Sequence, residues 1–331
     1  MSEQAPDANA TGSKSEPSDG PGQFAWVDDA VVEDICEALV ETVPEIRTAL
    51  AQRRAYVDRE NPSGERIRAA DEFADERLEA ELLAVDGVAS YASEDRAEAV
   101  PADDVWGGSG DDGTSDGREA ETDHDGYHLA VDPLDGSSNL QSNSPMGTIV
   151  GVYDRSLPAS GEHLVAATYV LYGPNTTMVL ADDERTAEYL VTDAGAETLD
   201  SEVAIPAEPT VYGMGGRRPD WTDRVTAATE DMEADRLKLR YGGAFVADVS
   251  QVLTHGGLFA YPELRDAPEG KLRYHFECAP MALITESADG AATTGESDWR
   301  DVEPTELHER SPIYLGTESL VDEIETTFQD W

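Results

Sequence analysis

Residues 127–139 read YHLAVDPLDGSSN. The first five, with Tyr127, Leu129 and Val131 alternating, give a strand signal. That strand runs into Asp132-Pro133-Leu134-Asp135-Gly136-Ser137-Ser138. Two carboxylates thus stand three residues apart at a strand end. Pro133 stiffens the turn, and Gly136 lets backbone approach a ligand closely. Ser137 and Ser138 add hydroxyls and successive N–H donors. Carboxylates hold a hard cation such as Mg²⁺, and N–H groups cradle an anion. Metal-assisted phosphate hydrolysis needs both side by side. A tight turn with one Asx cap would use a single Asp and leave the rest without a purpose.

Outward from this segment, further strand signals lie at 147–153, 164–172, 176–180, 258–261 and 272–276. Helical spacing of apolar residues predicts one helix over about 28–57, which Pro44 could kink. A turn at Asn61–Glu65 precedes a second helix with Ile67, Ala70, Ala74, Leu78 and Leu82 on one face. Asp71 intrudes at the edge of that stripe. Further helices are expected over 243–255 and from Pro280 to about Asp289-Gly290, where Gly can end a helix. Helices and strands mixed in this way, with strands clustered mid-chain, predict a layered α/β or α+β fold.

Charge dominates the composition of the 331-residue chain. Lys+Arg is 23 and Asp+Glu is 70, a balance of −47, and Lys14, Lys238 and Lys271 are the only lysines. Such a chain repels nucleic acid and anionic membranes. Acidic excess around an intact apolar pattern points to a protein adapted to high salt, where screening relieves self-repulsion. Residues 1–23 are expected to form an acidic disordered tail, and 103–126 an exposed acidic loop without calcium-loop spacing. Cys36 and Cys278 make no disulfide framework. With no apolar leader and no membrane-length apolar run, the expectation is a soluble cytoplasmic protein.

Other carboxylates join the central pair. Ser93-Glu94-Asp95 follows the strand-like stretch VASYA, and Glu277 sits in FECAPMA between a strand and a helix. Glu65 and Asp71 complete the set, although in so acidic a chain a solvated surface explains Glu65 almost as well. Lys271, retained where lysine is nearly eliminated, is better explained by an anionic ligand than by solvation.

The chain resembles class I fructose-1,6-bisphosphatases over roughly 61–316, apart from the acidic loop. The resemblance rests on SED (93–95), VDPLDGSSN (131–139), MGTIVGVY (146–153) and the long stretch from Arg240 to Gly295 containing GGLFAYP, GKLR and ECAPMA. It implies an α/β fold, a layered α/β/α/β/α sandwich of two mixed-sheet halves. On that basis, residues 24–180 are expected to bind metal and phosphate, and 181–331 to bind sugar. It implies hydrolysis of fructose 1,6-bisphosphate to fructose 6-phosphate and phosphate in gluconeogenesis. Glu94, Asp132, Asp135, Glu277, the Leu134 carbonyl and Glu65 would hold two or three Mg²⁺ ions, or Mn²⁺. Asp71 and Asp95 match the pair that activates water. Gly136, Ser137 and Ser138 match the loop for the reacting phosphate. Lys271, Tyr241 and Tyr261 match the sugar and 6-phosphate site, and Arg240 matches an arginine that reaches a neighbouring subunit, implying a homodimer or homotetramer. Where the family uses Asn and Tyr near 212–221, Gly215 and Arg218 stand here, and Arg217 or Arg218 would replace the lost contacts. AMP inhibition is not expected. The rivals are a phosphatase for sedoheptulose 1,7-bisphosphate or an inositol phosphate, and a non-catalytic metal-binding relative.

Overall fold

The computed structural model describes residues 23–64, 66–102, 126–329 and Trp331. Residues 1–22 of the expected tail, 103–125 of the expected acidic loop and Glu65 lie outside the described residues. Gln23, assigned to the tail, belongs to the fold: its carboxamide bonds both the N–H and the carbonyl of Ala196.

Two large sheets organise the described residues, beside two small two-stranded ones. The first has eight strands in the spatial order 195–200, 186–192, 176–182, 164–172, 146–153, 127–135, 88–93, 100–101. From Gly195 inward to Tyr127 it is an antiparallel meander, and Tyr127–Asp135 then pairs in parallel with Val88–Ser93. The division expected at 180 therefore falls inside this sheet. Tight hairpins at Asp183-Glu184 and Asp193-Ala194 carry the meander on to Asp200. The second sheet has five strands in the order 238–239, 211–214, 257–261, 313–316, 291–293, with parallel and antiparallel pairs.

Among the described residues, six helices complete five layers: α1 Ala30–Gln52, α2 Ala69–Leu82, α3 Asp223–Ala234, α4 Phe245–His255, α5 Ala279–Glu286 and α6 Glu318–Gln329. Strand alternation sorts their cores. Leu129, Val131, Val150 and Val170 face α1 and α2. Ala130, Ile149 and Ala167 face the opposite way, onto α4, α5 and the second sheet. Tyr212, Met214, Leu258 and Tyr314 face outward under α3 and α6. The order α/β/α/β/α is that expected.

Local departures have physical causes. Helix α1 begins where Asp29 caps Val31 and Val32, runs through Pro44 without ending, and stops at Gln52; Tyr56–Glu60 is then a strand. Leu272–Arg273 is a strand of only two residues, and Tyr274–Cys278 forms a π-helical turn in place of the expected strand. Helix α5 ends at Glu286, and the left-handed residue beyond it is Asp289, with φ 59°, not Gly290.

Candidate active site

The site is assembled where the parallel strands Val88–Ser93 and Tyr127–Asp135 end side by side. Ser93 is level with Val131, and the Glu94 N–H donates to the Val131 carbonyl at 2.9 Å. Glu94 and Asp132 thus leave neighbouring strands at the same level. In a regular strand, residues 132 and 135 would face opposite ways. Here Asp132 is level with Ile149 and Asp135 with Gly147, so three steps on one strand match two on the other. This β-bulge at Pro133-Leu134 re-aims the side chains. Inside it, the buried Leu134 donates its N–H to Asp132 Oδ1 at 3.0 Å.

Glu277 arrives from the other half on the π-helical turn, a feature frequent at functional sites. Oxygens of Glu94, Asp132 and Glu277 all lie within 4.8 Å of one another. Burial pushes the Asp132 and Glu277 carboxyls well above the usual range, and the Glu94 charge adds to both shifts. Asp135 is pushed up to about 7 by burial, against hydrogen bonds from Val246 and Phe245 at the start of α4. Its Oδ2 accepts the Val246 N–H at 2.8 Å.

Asp71 sits in the first turn of α2, where its Oδ2 accepts the Arg68 N–H at 2.6 Å. Its Oδ1 is buried without a hydrogen-bond partner among the described residues. Burial lifts this carboxyl to about 6, eased by the Arg68 N–H. Asp95 is lifted to about 8 by burial and by the charges of Glu94, Asp71 and Asp75. Its turn is clamped by Arg96, which bonds Asp75 at 2.6 Å and Glu79 on α2. The Arg96 carbonyl pairs with His308 Nε2 at 2.6 Å, tying the turn to the second half.

Four buried or half-buried carboxylates and an orphaned Asp71 oxygen need positive charge. Their all-oxygen donor set suits a hard divalent cation better than a soft one. Part of that charge comes from Arg273, whose guanidinium pairs with Glu94 and lies 3.7 Å from Glu277. The Arg273 N–H also donates to Glu277 Oε2 at 2.7 Å. Sequence reasoning missed Arg273. The available signal was an arginine four residues before Glu277 in a chain poor in cations.

Gly136 follows with φ 72°, and a Cβ there would lie 2.3 Å from the Ala244 Cβ. Only glycine fits. Ser137 and Ser138 open a short 3₁₀ turn facing this contact. Across the junction, Tyr241 and Tyr261 join hydroxyls at 3.3 Å above Phe245 and Phe259. Lys271 and Arg240 are exposed and enter no ion pair among the described residues. Arg218 is committed to α3 through Glu230 at 2.7 Å and Glu233 at 3.6 Å. Gly215 packs against the Tyr261 ring.

Five layers, with carboxylates of both halves converging beside the Gly136–Ser138 turn, are the architecture of a sugar-phosphatase type of hydrolase. Residues 27–201 match the fructose-1-6-bisphosphatase N-terminal domain, and residues 205–329 match its C-terminal domain. The chain is 48% identical over 295 residues to a class 1 fructose-1,6-bisphosphatase of Natronomonas pharaonis, covering 89% of this chain and 97% of that one. It is 46% identical over 300 residues to that of Halobacterium salinarum, covering 91% and 98%. A holo fructose-1,6-bisphosphatase structure from Leishmania major shares the fold, with a TM-score of 0.81 at 24% identity, over 94% of this chain and 99% of that one. This chain belongs to the fructose-1,6-bisphosphatase family.

Proposed function

We propose that the protein hydrolyses fructose 1,6-bisphosphate to fructose 6-phosphate and inorganic phosphate, a step of gluconeogenesis. One observation carries the reading: carboxylates from both halves of this family member converge within 4.8 Å beside the Gly136–Ser138 loop. Glu94, Asp132, Asp135 and Glu277 would hold Mg²⁺ or Mn²⁺, with the Leu134 carbonyl and Glu65 as further ligands. When bound, such cations neutralise phosphate charge and acidify water.

The chain's own groups do the rest. Backbone N–H groups of Gly136, Ser137 and Ser138 hold the oxygens of the reacting phosphate. Asp71 accepts a proton from the attacking water at its free Oδ1. Asp95, on the turn that follows Glu94, backs Asp71 in this role. The water oxygen bonds to phosphorus as the phosphorus–O1 bond breaks, and the leaving O1 takes a proton from solvent water. Tyr241, Tyr261 and Lys271 hold the sugar and its remote phosphate. Arg240, beside the exposed Leu239 and Tyr241, serves a neighbouring subunit of a homodimer or homotetramer. Arg217, exposed next to the committed Arg218, is the better candidate for an added phosphate contact.

The loop that departs from the family pattern lies against Tyr261, at the sugar end. A longer sugar bisphosphate is therefore the second reading. A substrate panel assayed for phosphate release with Mg²⁺ in molar KCl decides between them. The highest kcat/KM is expected for fructose 1,6-bisphosphate. A higher value for sedoheptulose 1,7-bisphosphate or an inositol phosphate would replace the substrate. Full activity after EDTA treatment would sink the metal-assisted chemistry, and no release from any substrate would leave a non-catalytic relative.

A further inference from the structure

Asn139 directly follows the phosphate loop, and its side chain reaches across the junction of the two halves. Its Nδ2 donates to the Gly242 carbonyl at 2.9 Å and to the Pro145 carbonyl at 2.8 Å. Its own backbone is tied back into the loop, with its N–H on the Gly136 carbonyl at 2.8 Å. On the far side, buried Asp248 accepts the Gly242 N–H at 2.6 Å. Gly242 is therefore held at both polar groups, by Asp248 through the N–H and by Asn139 through the carbonyl. Arg240 and Tyr241 stand immediately before it. Two further contacts fasten the same pair of segments: Gly136 against Ala244, and Asp135 on the Val246 N–H.

Of these fasteners, Asn139 is the one side chain that joins the loops directly without being a metal-ligand candidate. We propose that Asn139 is a positioning residue that sets the distance between the reacting-phosphate loop and the segment 240–243, and so sets the preference for a doubly over a singly phosphorylated sugar. The proposal rests on the phosphate roles assigned above. A bisphosphate must satisfy both ends at once, so an error in their separation weakens it. A monophosphate engages the reacting loop alone and is indifferent to that distance. The amide suits the task because it donates to two carbonyls at once. An aspartate of the same shape has no donor and would repel both.

The test compares fructose 1,6-bisphosphate with fructose 1-phosphate in Asn139→Ala, Asn139→Asp and Lys271→Met, using the full chain in molar KCl. Fructose 1-phosphate is followed as substrate or, if it is not turned over, as competitive inhibitor. Loss of two neutral hydrogen bonds predicts a fall of about tenfold in kcat/KM for the bisphosphate, carried mainly by KM. The monophosphate constant is expected to stay within about twofold, the scatter of ordinary surface substitutions. Asn139→Asp keeps the packing volume, so it shows the same loss even if Asn139→Ala folds poorly. Lys271→Met should lower the same ratio. If it does so while both Asn139 variants leave the ratio unchanged, or weaken both sugars equally, the positioning role is overturned. If Lys271→Met leaves the ratio unchanged, the remote-phosphate assignment fails, and this inference fails with it.

Discussion

Among single residues, Asp132 shows how function and stability oppose each other. Its carboxyl is pushed well above the usual range by burial and by Glu94, Asp135 and Glu277. A raised carboxyl pKa means the ionised group weakens the folded state as pH rises. Asp132→Asn removes one of these charges and keeps the Oδ1 that accepts from Leu134. The variant should therefore melt higher than wild type in EDTA near neutral pH. It should also lose the Mg²⁺-induced rise in melting temperature and more than about 100-fold of turnover, beyond the cost of losing an outer-shell partner. Paired melts with and without Mg²⁺ check this, and a Mg²⁺ shift of wild-type size would contradict it. Arg273 is the converse case. It is nearly buried between Glu94 and Glu277, and Leu-Arg-Tyr, with the pattern of a strand, hides it; only its spacing from Glu277 in a cation-poor chain hints at a role. Asp132 and Asp135 were readable because their chemistry lies within one short segment. Arg273 matters only because the fold brings residue 94 beside residue 277.

At the level of elements, two anchors set where the site helices lie. Asp29 caps α1 and also accepts the Tyr127 hydroxyl at 2.6 Å. Burial alone would raise its pKa, but hydrogen bonds from Tyr127, Val32 and Val31 outweigh that and hold it below 3.8. Its contribution is present above the unfolded value and is lost as pH falls through the depressed one. Asp29→Ala should cost about 1 kcal/mol at neutral pH, and the gap to wild type should narrow on acidification below 3.8. Denaturant titrations at fixed KCl would show it, and a gap that widens in acid would reverse the sign. The second anchor is Arg96, which pins the Asp95 turn to α2 one turn after Asp71. Asp75 is 1% exposed on its side chain and Arg96 24%. Arg96→Ala should cost on the order of 3 kcal/mol, the low end for a broken buried pair. Glu79→Gln should cost less, since Glu79 keeps 21% of its side chain in water and the amide oxygen can still accept from Arg96. Equal losses for the two would refute this ranking. Apolar spacing made α2 and its buried face readable. The bulge at Pro133-Leu134 and the π-helical turn were not, because each depends on what the opposite strand or half requires of the backbone.

At the scale of the whole molecule, a balance of −47 is the governing fact. Raising KCl from about 0.1 M to about 1 M shortens the reach of repulsion from ~10 Å to ~3 Å. The melting temperature should rise across that series. KM should rise as well, since salt equally screens Lys271 and Arg240 from a phosphorylated sugar. Melts and kinetics measured separately would resolve the two trends, and a flat or falling melting temperature would assign the acidic surface some other purpose. Screening carries a hazard of its own, since it also removes the charge that keeps molecules apart. The eight-stranded sheet ends in Gly195–Asp200, an outer strand of the kind that can recruit a neighbour's strand and grow into an aggregate. The outward N–H and carbonyl of Ala196 are already taken by Gln23, so the chain fills with its own side chain the position an intruding strand would need. This cover at Ala196 rests on neutral hydrogen bonds, so it does not weaken as salt rises, whereas repulsion between molecules does.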